Sequence, residues 1–92
     1  MPRRRRRRIR GNFESVCFKP CGIPARNLDI VYLSEDELEA IRLMDYEGLY
    51  QEEVAKEMGV SRPTISRILS NARKKIADAL IHGKAIEIEK NF

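Results

Sequence analysis

The chain has 92 residues, which is enough for one small folded unit and too few for two independent hydrophobic cores. Hydrophobic residues make up 42% of the sequence and charged residues 35%, a balance that excludes a largely disordered protein. The sequence has no apolar run near the roughly 20 residues of a membrane-spanning helix, so we expect a cytoplasmic protein without membrane contact.

Positive charge is concentrated at the start of the chain. Residues 1–33 hold nine basic and two acidic residues, whereas residues 34–92 hold nine basic and twelve acidic ones. The first ten residues include seven arginines: Arg3, Arg4, Arg5, Arg6, Arg7, Arg8 and Arg10. Like charges at this density repel one another, so residues 1–11 are predicted to form a disordered basic arm that binds a polyanion.

Residues 12–33 are predicted to be an irregular segment that packs on the folded domain. Glycines and prolines recur there between a few apolar anchors, a composition typical of loops. β-Branched and aromatic residues over 28–33 favour one short strand. The C-terminal tail, residues 84–92, begins with alternating apolar residues and favours a second. The two strands can pair with each other or across a dimer interface.

Cys17 and Cys21 are the two cysteines of the sequence, in the spacing C-x3-C. Two cysteines are too few for a small disulfide-stapled protein and fit a reducing compartment. Zinc binding with His82 as a third ligand is an alternative, but the spacing is looser than the usual C-x2-C and the ligand set is short. We therefore expect idle or buried thiols, no metal and no cofactor.

A folded domain is predicted over residues 34–83, and its first helix over about residues 35–47. Ser34 and Glu37 have the spacing of a capping box, in which each side chain accepts a hydrogen bond from the other residue's backbone N–H. Acidic residues in the first turn also suit the positive end of the helix dipole. Gly48 then offers the left-handed residue that commonly ends a helix.

Two further helices follow. The second is predicted over about residues 51–58 and ends at Gly59. The third begins after Ser61, a favourable N-cap residue, and continues nearly to Gly83. At helical spacing its apolar stripe consists of Ile65, Ile68, Leu69, Ala72, Ile76 and Leu80.

Residues 51–70 have the residue types required where two helices cross through a tight turn. Ala55 is small where the third helix passes, Gly59 permits a positive φ, and Val60 can fill the core beneath the turn. Five of the six aromatic residues are assigned to the core or an interface: Phe13, Phe18, Tyr32, Tyr46 and Tyr50. This pattern predicts a helix-turn-helix core over residues 51–70.

Charge is segregated between the helices. Residues 35–57 contain nine acids and two basic residues, whereas residues 58–77 contain five basic residues and no acid. Arg62 and Arg67 are candidates for bidentate hydrogen bonds to guanine in a DNA major groove. The candidate DNA-binding residues, besides the arm arginines, are Ser61, Arg62, Pro63, Thr64, Ser66, Arg67, Ser70, Asn71, Arg73 and Lys74.

Residues 34–80 resemble the region-four helix-turn-helix of bacterial sigma factors and the related domains of many response regulators. The whole chain is similar to a family of small uncharacterised prokaryotic proteins described as predicted DNA-binding. The similarity rests on the arginine-rich start and on residues 18–24, 36–43, 61–64, 72–77 and 83–85. It implies a mainly α, winged-helix-like protein that binds double-stranded DNA and regulates transcription.

Three alternatives to this function stay open. The acidic helices can form a protein-interaction surface that contacts RNA polymerase. The arm can bind DNA or RNA through phosphates without sequence preference. The helices can also be a plain hairpin with a solvated basic face. The sequence has one histidine, no phosphate-binding loop and no catalytic arrangement, so we do not expect an enzyme. A homodimer is expected, because a module this small makes few DNA contacts.

Overall fold

The computed structural model describes the backbone of residues 13–91 and the side chains of residues 16–88. The arginine-rich arm therefore lies outside the described residues. Within them, the predicted mainly α fold with a small β element is confirmed. Its elements are β1 (Phe13–Phe18), β2 (Ile30–Leu33), α1 (Glu35–Ile41), α2 (Gln51–Met58), α3 (Arg62–His82) and β3 (Ala85–Asn91).

Helix α1 begins as predicted. The Ser34 hydroxyl accepts a hydrogen bond from the Glu37 N–H at 3.1 Å, and the Glu37 carboxylate accepts one from the Ser34 N–H at 2.9 Å, so the capping box is confirmed. After Ile41 the helix continues as a π-helical turn, Arg42–Tyr46. None of the described helices is long and apolar enough to cross a membrane.

Strand β3 lies between the other two described strands, antiparallel to β1 and parallel to β2. The predicted strands at 28–33 and 84–89 therefore pair with each other, with slightly different ends. Strand β1 corrects the expectation of an irregular chain: residues 13–18 pair along their whole length with β3, and the turn residues follow only after Phe18. This pairing is non-local, so local composition gave no sign of it.

Helix α3 contributes to both hydrophobic clusters found in the described residues. Towards its start, Ile65 and Leu69 pack with Val54 and other residues of α1 and α2. Towards its middle, Ala72 packs with residues of the sheet such as Ile88. The core is thus continuous along one side of α3, which fixes the helix between the sheet and the other helices.

Leu80 of the predicted apolar stripe and four aromatic side chains lie outside the core. Leu80 was placed in the apolar stripe of α3 but is 75% exposed, whereas Ala79 is 2% exposed. Three residues after Ile76 the stripe returns to the core at Ala79, so Leu80 is turned outward. Four aromatic side chains that were assigned to the core or an interface are also exposed, so they are not core residues: Phe18, Tyr32, Tyr46 and Tyr50. Their place in an interface stays a prediction, and the Phe13 side chain lies outside the described residues.

Glu37 links α1 to α3 from a largely buried position. Its carboxylate lies 2.8 Å from the Lys75 ammonium, which also donates to the Tyr32 carbonyl at 2.9 Å. Burial by itself would raise the pKa of Glu37, but Lys75 and the Ser34 cap lower the pKa by more, so the net value lies below the ordinary 4.5. The pair therefore stabilises the ionised carboxylate in the folded state.

We predict that Lys75→Met lowers the free energy of unfolding at pH 7 by about 1 kcal/mol. The largely buried Glu37 carboxylate then loses a hydrogen-bond donor, but the loss is moderate because solvent partly reaches the site. The loss should be fully present above pH 4.5 and should vanish as the pH falls through the lower folded-state pKa of Glu37. Urea unfolding at several pH values measures it. Lys56→Met is the matched control, because Lys56 is exposed and pairs with no described acid. An equal loss in both variants would contradict the prediction.

Candidate nucleic-acid interface

The junction between α2 and α3 confirms the predicted helix-turn-helix. Helix α2 ends at Gly59, which has a φ of +71° in the left-handed region. The N–H of Val60 donates to the Ala55 carbonyl at 3.0 Å and closes the turn. Ala55 is buried in the same cluster as Ile65 of the following helix. A small residue and a left-handed glycine thus let the two helices pack closely across a short turn.

The start of α3 is held by two hydroxyl groups. The Ser61 hydroxyl accepts a hydrogen bond from the Thr64 N–H at 3.4 Å and lies 2.9 Å from the Thr64 hydroxyl. Pro63 stands in the first turn, where its missing N–H removes no helical hydrogen bond. Ser61 and Thr64 were both predicted to contact DNA. In the structure the Ser61 hydroxyl caps the helix and the Thr64 hydroxyl lies beside it, and contact of either residue with DNA stays a prediction.

The predicted site residues of α3 share one exposed surface. Arg67, Ser70 and Lys74 are exposed at helical spacing on the side opposite the buried Ile65 and Leu69. We call these three residues the outer row. All ten predicted residues of this region are exposed except Thr64, which is half-buried. The structure thus brings the predicted residues together along the first two-thirds of α3.

Intramolecular ion pairs distinguish the basic side chains of this surface. Arg73 forms a bidentate ion pair with Asp45, with nitrogen–oxygen distances of 2.6 and 3.2 Å. Arg62 lies 3.9 Å from the Glu52 carboxylate in a more exposed pair. The two basic residues of the outer row, Arg67 and Lys74, pair with no described acid. They are therefore the cations that a ligand can engage without breaking an internal pair.

Gln51 belongs to this surface and was missed by the sequence interpretation. It is the first residue of α2, and its side-chain oxygen accepts a hydrogen bond from the Ser66 hydroxyl at 3.4 Å. The contact places the start of α2 beside the exposed second turn of α3. Its position at the beginning of the second helix was the available sequence signal, since that end lies next to the start of α3.

The proposed zinc ligands were not brought into one group. Cys17 and Cys21 are free and exposed, and the His82 ring nitrogen Nδ1 lies 2.7 Å from the Asp78 carboxylate. Across residues 16–88, whose side chains the structure describes, no three His, Cys, Asp or Glu side chains are grouped as metal ligands. The exposed cysteines correct the alternative that these thiols are buried.

Comparison with known proteins gives a family but no activity. The chain matches the family model described as "Protein of unknown function DUF134" over residues 1–91. Relatives named "UPF0251 protein" include those of Moorella thermoacetica, 59% identical over 75 residues, and Prosthecochloris aestuarii, 53% identical over 83 residues.

The two alignments cover 82% and 90% of this chain but 50% and 54% of the relatives, so the chain spans about half the length of these curated relatives. No solved structure matches the chain significantly. The resemblance to a small uncharacterised prokaryotic family is thereby confirmed.

We predict that Gly59→Ala destabilises the protein by about 1–2 kcal/mol, because a Cβ makes the left-handed conformation unfavourable. The added Cβ would meet no atom within 4 Å, so crowding contributes nothing. Gly59→Asn is the informative comparison, since asparagine tolerates this conformation better than alanine does. Thermal and urea unfolding of both variants measure the effect. An alanine variant as stable as the asparagine variant would show that the turn does not need this conformation.

Proposed function

We propose that this chain, which belongs to the DUF134 family of proteins of unknown function, binds duplex DNA sequence-specifically and regulates transcription in the cytoplasm. The observation that carries the proposal is the outer row of α3, whose two basic residues have no described acidic partner and project beside a helix-turn-helix. A helix presented in this way fits the major groove of B-DNA, which is about 12 Å wide.

Each part of the surface suits a different kind of DNA contact. Arg67 is exposed in the second turn of α3 and can donate two hydrogen bonds to a guanine edge. Ser66 and Ser70 can contact neighbouring base edges or phosphates. The positive end of α3 and the residues Arg62, Asn71, Arg73 and Lys74 suit the phosphate backbone.

The distribution of charge supports the same orientation. The acids of residues 35–57 lie on α1, the π-helical turn and α2, whereas α3 between residues 62 and 77 has no acid. Phosphates would be repelled by the former and attracted by the latter. The protein would therefore approach DNA with α3 first, and the arginine-rich arm would follow phosphates or enter the minor groove. We include a homodimer in this proposal.

A second candidate function is supported by a separate observation. Tyr46 is 83% exposed and Tyr50 is 74% exposed, and both lie among the acids of α1 and α2. Exposed tyrosines are common anchors of protein interfaces. This surface could contact a basic partner such as RNA polymerase, either in place of DNA binding or in addition to it.

Selection of bound fragments from a random duplex DNA pool at near-physiological salt tests the first proposal. We expect an enriched motif, and we expect Arg67→Ala to weaken binding to it by about 1–3 kcal/mol, roughly 5- to 150-fold, with preference relaxed at particular bases. The reason is that the variant can no longer form the bidentate hydrogen bonds to a base edge. Quantitative binding measurements on the enriched site give the affinity.

Arg26→Ala is the matched control, since Arg26 is an exposed arginine outside α2 and α3 and should leave the motif unchanged. Tight binding without any motif, unaffected by Arg67→Ala, would contradict base reading and assign binding to the arm. No binding at all would favour the protein-interaction surface.

We predict that deleting residues 2–10 lowers DNA affinity and makes its salt dependence shallower, but retains the sequence preference. Every phosphate that the shortened protein no longer neutralises should reduce the slope of log K against log salt by about 0.9. Titrations of the intact and shortened proteins at several salt concentrations measure both slopes. Abolished binding after the deletion would instead make the arm the main DNA-binding element.

A further inference from the structure

The last two turns of α3 carry an exposed apolar surface that the DNA-binding proposal does not use. Leu80 and Ile81 are each 75% exposed, and Ala77, one turn earlier, is also exposed beside them. We call Ala77, Leu80 and Ile81 the apolar patch. Leu80 also borders a cleft of about 310 Å³ whose lining includes Phe18, Pro20 and Ile86. Adjacent large apolar side chains with this exposure commonly mark a protein interface.

We infer that the apolar patch is the contact surface between two copies of this chain, related by a two-fold axis that crosses their α3 helices in antiparallel orientation. The inference deepens the proposed function, because the DNA-binding spacing derived below rests on α3 entering the major groove. The contact itself can be tested without DNA.

The shape of the patch is self-complementary. In an antiparallel pair whose axis passes between Ala77 and Leu80, each Leu80 lies over the partner's Ala77. The small Ala77 leaves room for the large Leu80. Because a two-fold contact is reciprocal, the same Leu80–Ala77 contact forms twice. Contacts of this kind let two helices approach to about 8–10 Å.

Charge complementarity favours the antiparallel arrangement over a parallel one. The end of α3 carries the partial negative charge of the helix dipole, and the helix's one acid, Asp78, is already paired with His82 and Lys84 of its own chain. Antiparallel packing lays Lys74 of each copy beside the end of the partner's α3. Lys74 pairs with no described acid of its own chain, so it is available for this contact.

The patch is placed so that the contact leaves the outer row free. With 3.6 residues per turn, Ala77 and Leu80 point about 80° around α3 from the mean direction of the outer row. Two helices packed side by side through these residues therefore present both outer rows to the same side. Ile81 lies on the line of the outer row and borders the contact on that side.

The distance along α3 matches the repeat of DNA. From the axis between Ala77 and Leu80 to Arg67 is about 17 Å at 1.5 Å per residue. A shallow antiparallel crossing thus separates the two Arg67 residues by about 35 Å. Successive major grooves on one side of B-DNA are about 34–36 Å apart. The dimer would therefore bind two inverted half-sites centred about one helical turn apart.

Sedimentation equilibrium without DNA tests the contact. We expect a mass of twice the 10.7 kDa chain for the wild type and a monomer for Leu80→Gln combined with Ile81→Gln, which keeps the net charge. Tyr46→Gln, which removes a side chain that is 83% exposed, is the control and should stay dimeric. A monomeric wild type, or a dimer that the double substitution leaves intact, would overturn the inference.

A cross-linking measurement keeps the test independent of the double variant. In a Cys17→Ser, Cys21→Ser background, Leu80→Cys should be joined between copies by a short thiol-specific cross-linker, and Tyr46→Cys should not. No cross-linking at position 80 would place the contact elsewhere and contradict the inference.

DNA binding then separates the two proposals. If both hold, the monomeric variant should bind a two-half-site duplex about a hundredfold more weakly, because avidity is absent, and bind a single half-site as the wild type does. A dimer that binds no DNA would refute the proposed function but not the contact. A monomeric wild type that recognises a motif would refute the contact but not the function.

Discussion

The packing of one side of α3 is the constraint on which the rest of the structure depends. Ile65 and Leu69 are buried against α1 and α2, and Ala72 is buried beneath the sheet. Helix α3 therefore contributes buried residues to both hydrophobic clusters of the described chain. Ala72 is 0% exposed, so a larger side chain there would have to displace the sheet. Because that side is buried, the residues of α3 that we propose to bind DNA are confined to the exposed side.

Ion pairs between α3 and the other helical elements determine which basic side chains of α3 are free to bind a ligand. Arg73 is bound to Asp45 and Lys75 to Glu37, so both fasten the helix to the acidic elements. The exposed Arg73–Asp45 pair contributes little to stability, typically up to about 1 kcal/mol. The larger effect of the two pairs is on position, since each holds a long basic side chain against its own protein. The basic side chains of α3 that remain unpaired within the described chain, Arg67 and Lys74, are those of the outer row.

The helices and their turn were predictable from sequence because their signals are local. The capping box at Ser34, the left-handed Gly59 and the Ser61 cap each act within a few residues, and the structure contains all three. Strand β1 was not predictable in this way, since it depends on pairing with β3, some seventy residues later. Leu80 was misplaced because a step of either three or four residues from Ile76 continues an apolar stripe, and in the structure the buried residue is Ala79.

The candidate site also combines features that local sequence predicts with features that depend on distant residues. Exposure of the outer row follows from helical periodicity once the buried side is known, and the sequence placed it correctly. The pairs of Arg73 with Asp45 and of Arg62 with Glu52, and the contact of Gln51 with Ser66, join residues 10 to 28 positions apart. No local pattern encodes such contacts. They require the relative placement of α1, α2 and α3, which the buried cluster sets.

The exposure of the apolar patch is itself a consequence of how α3 ends. The N–H of Lys84 donates to the Ala79 carbonyl at 2.9 Å, and the Lys84 ammonium lies 3.0 Å from Asp78. These contacts turn the chain into β3 within two residues of His82. The sheet is thereby held on the side of Ala79 and cannot rotate over Leu80 without breaking them. Within the described chain, no element covers Leu80 and Ile81, which leaves both side chains available to the second copy that we propose.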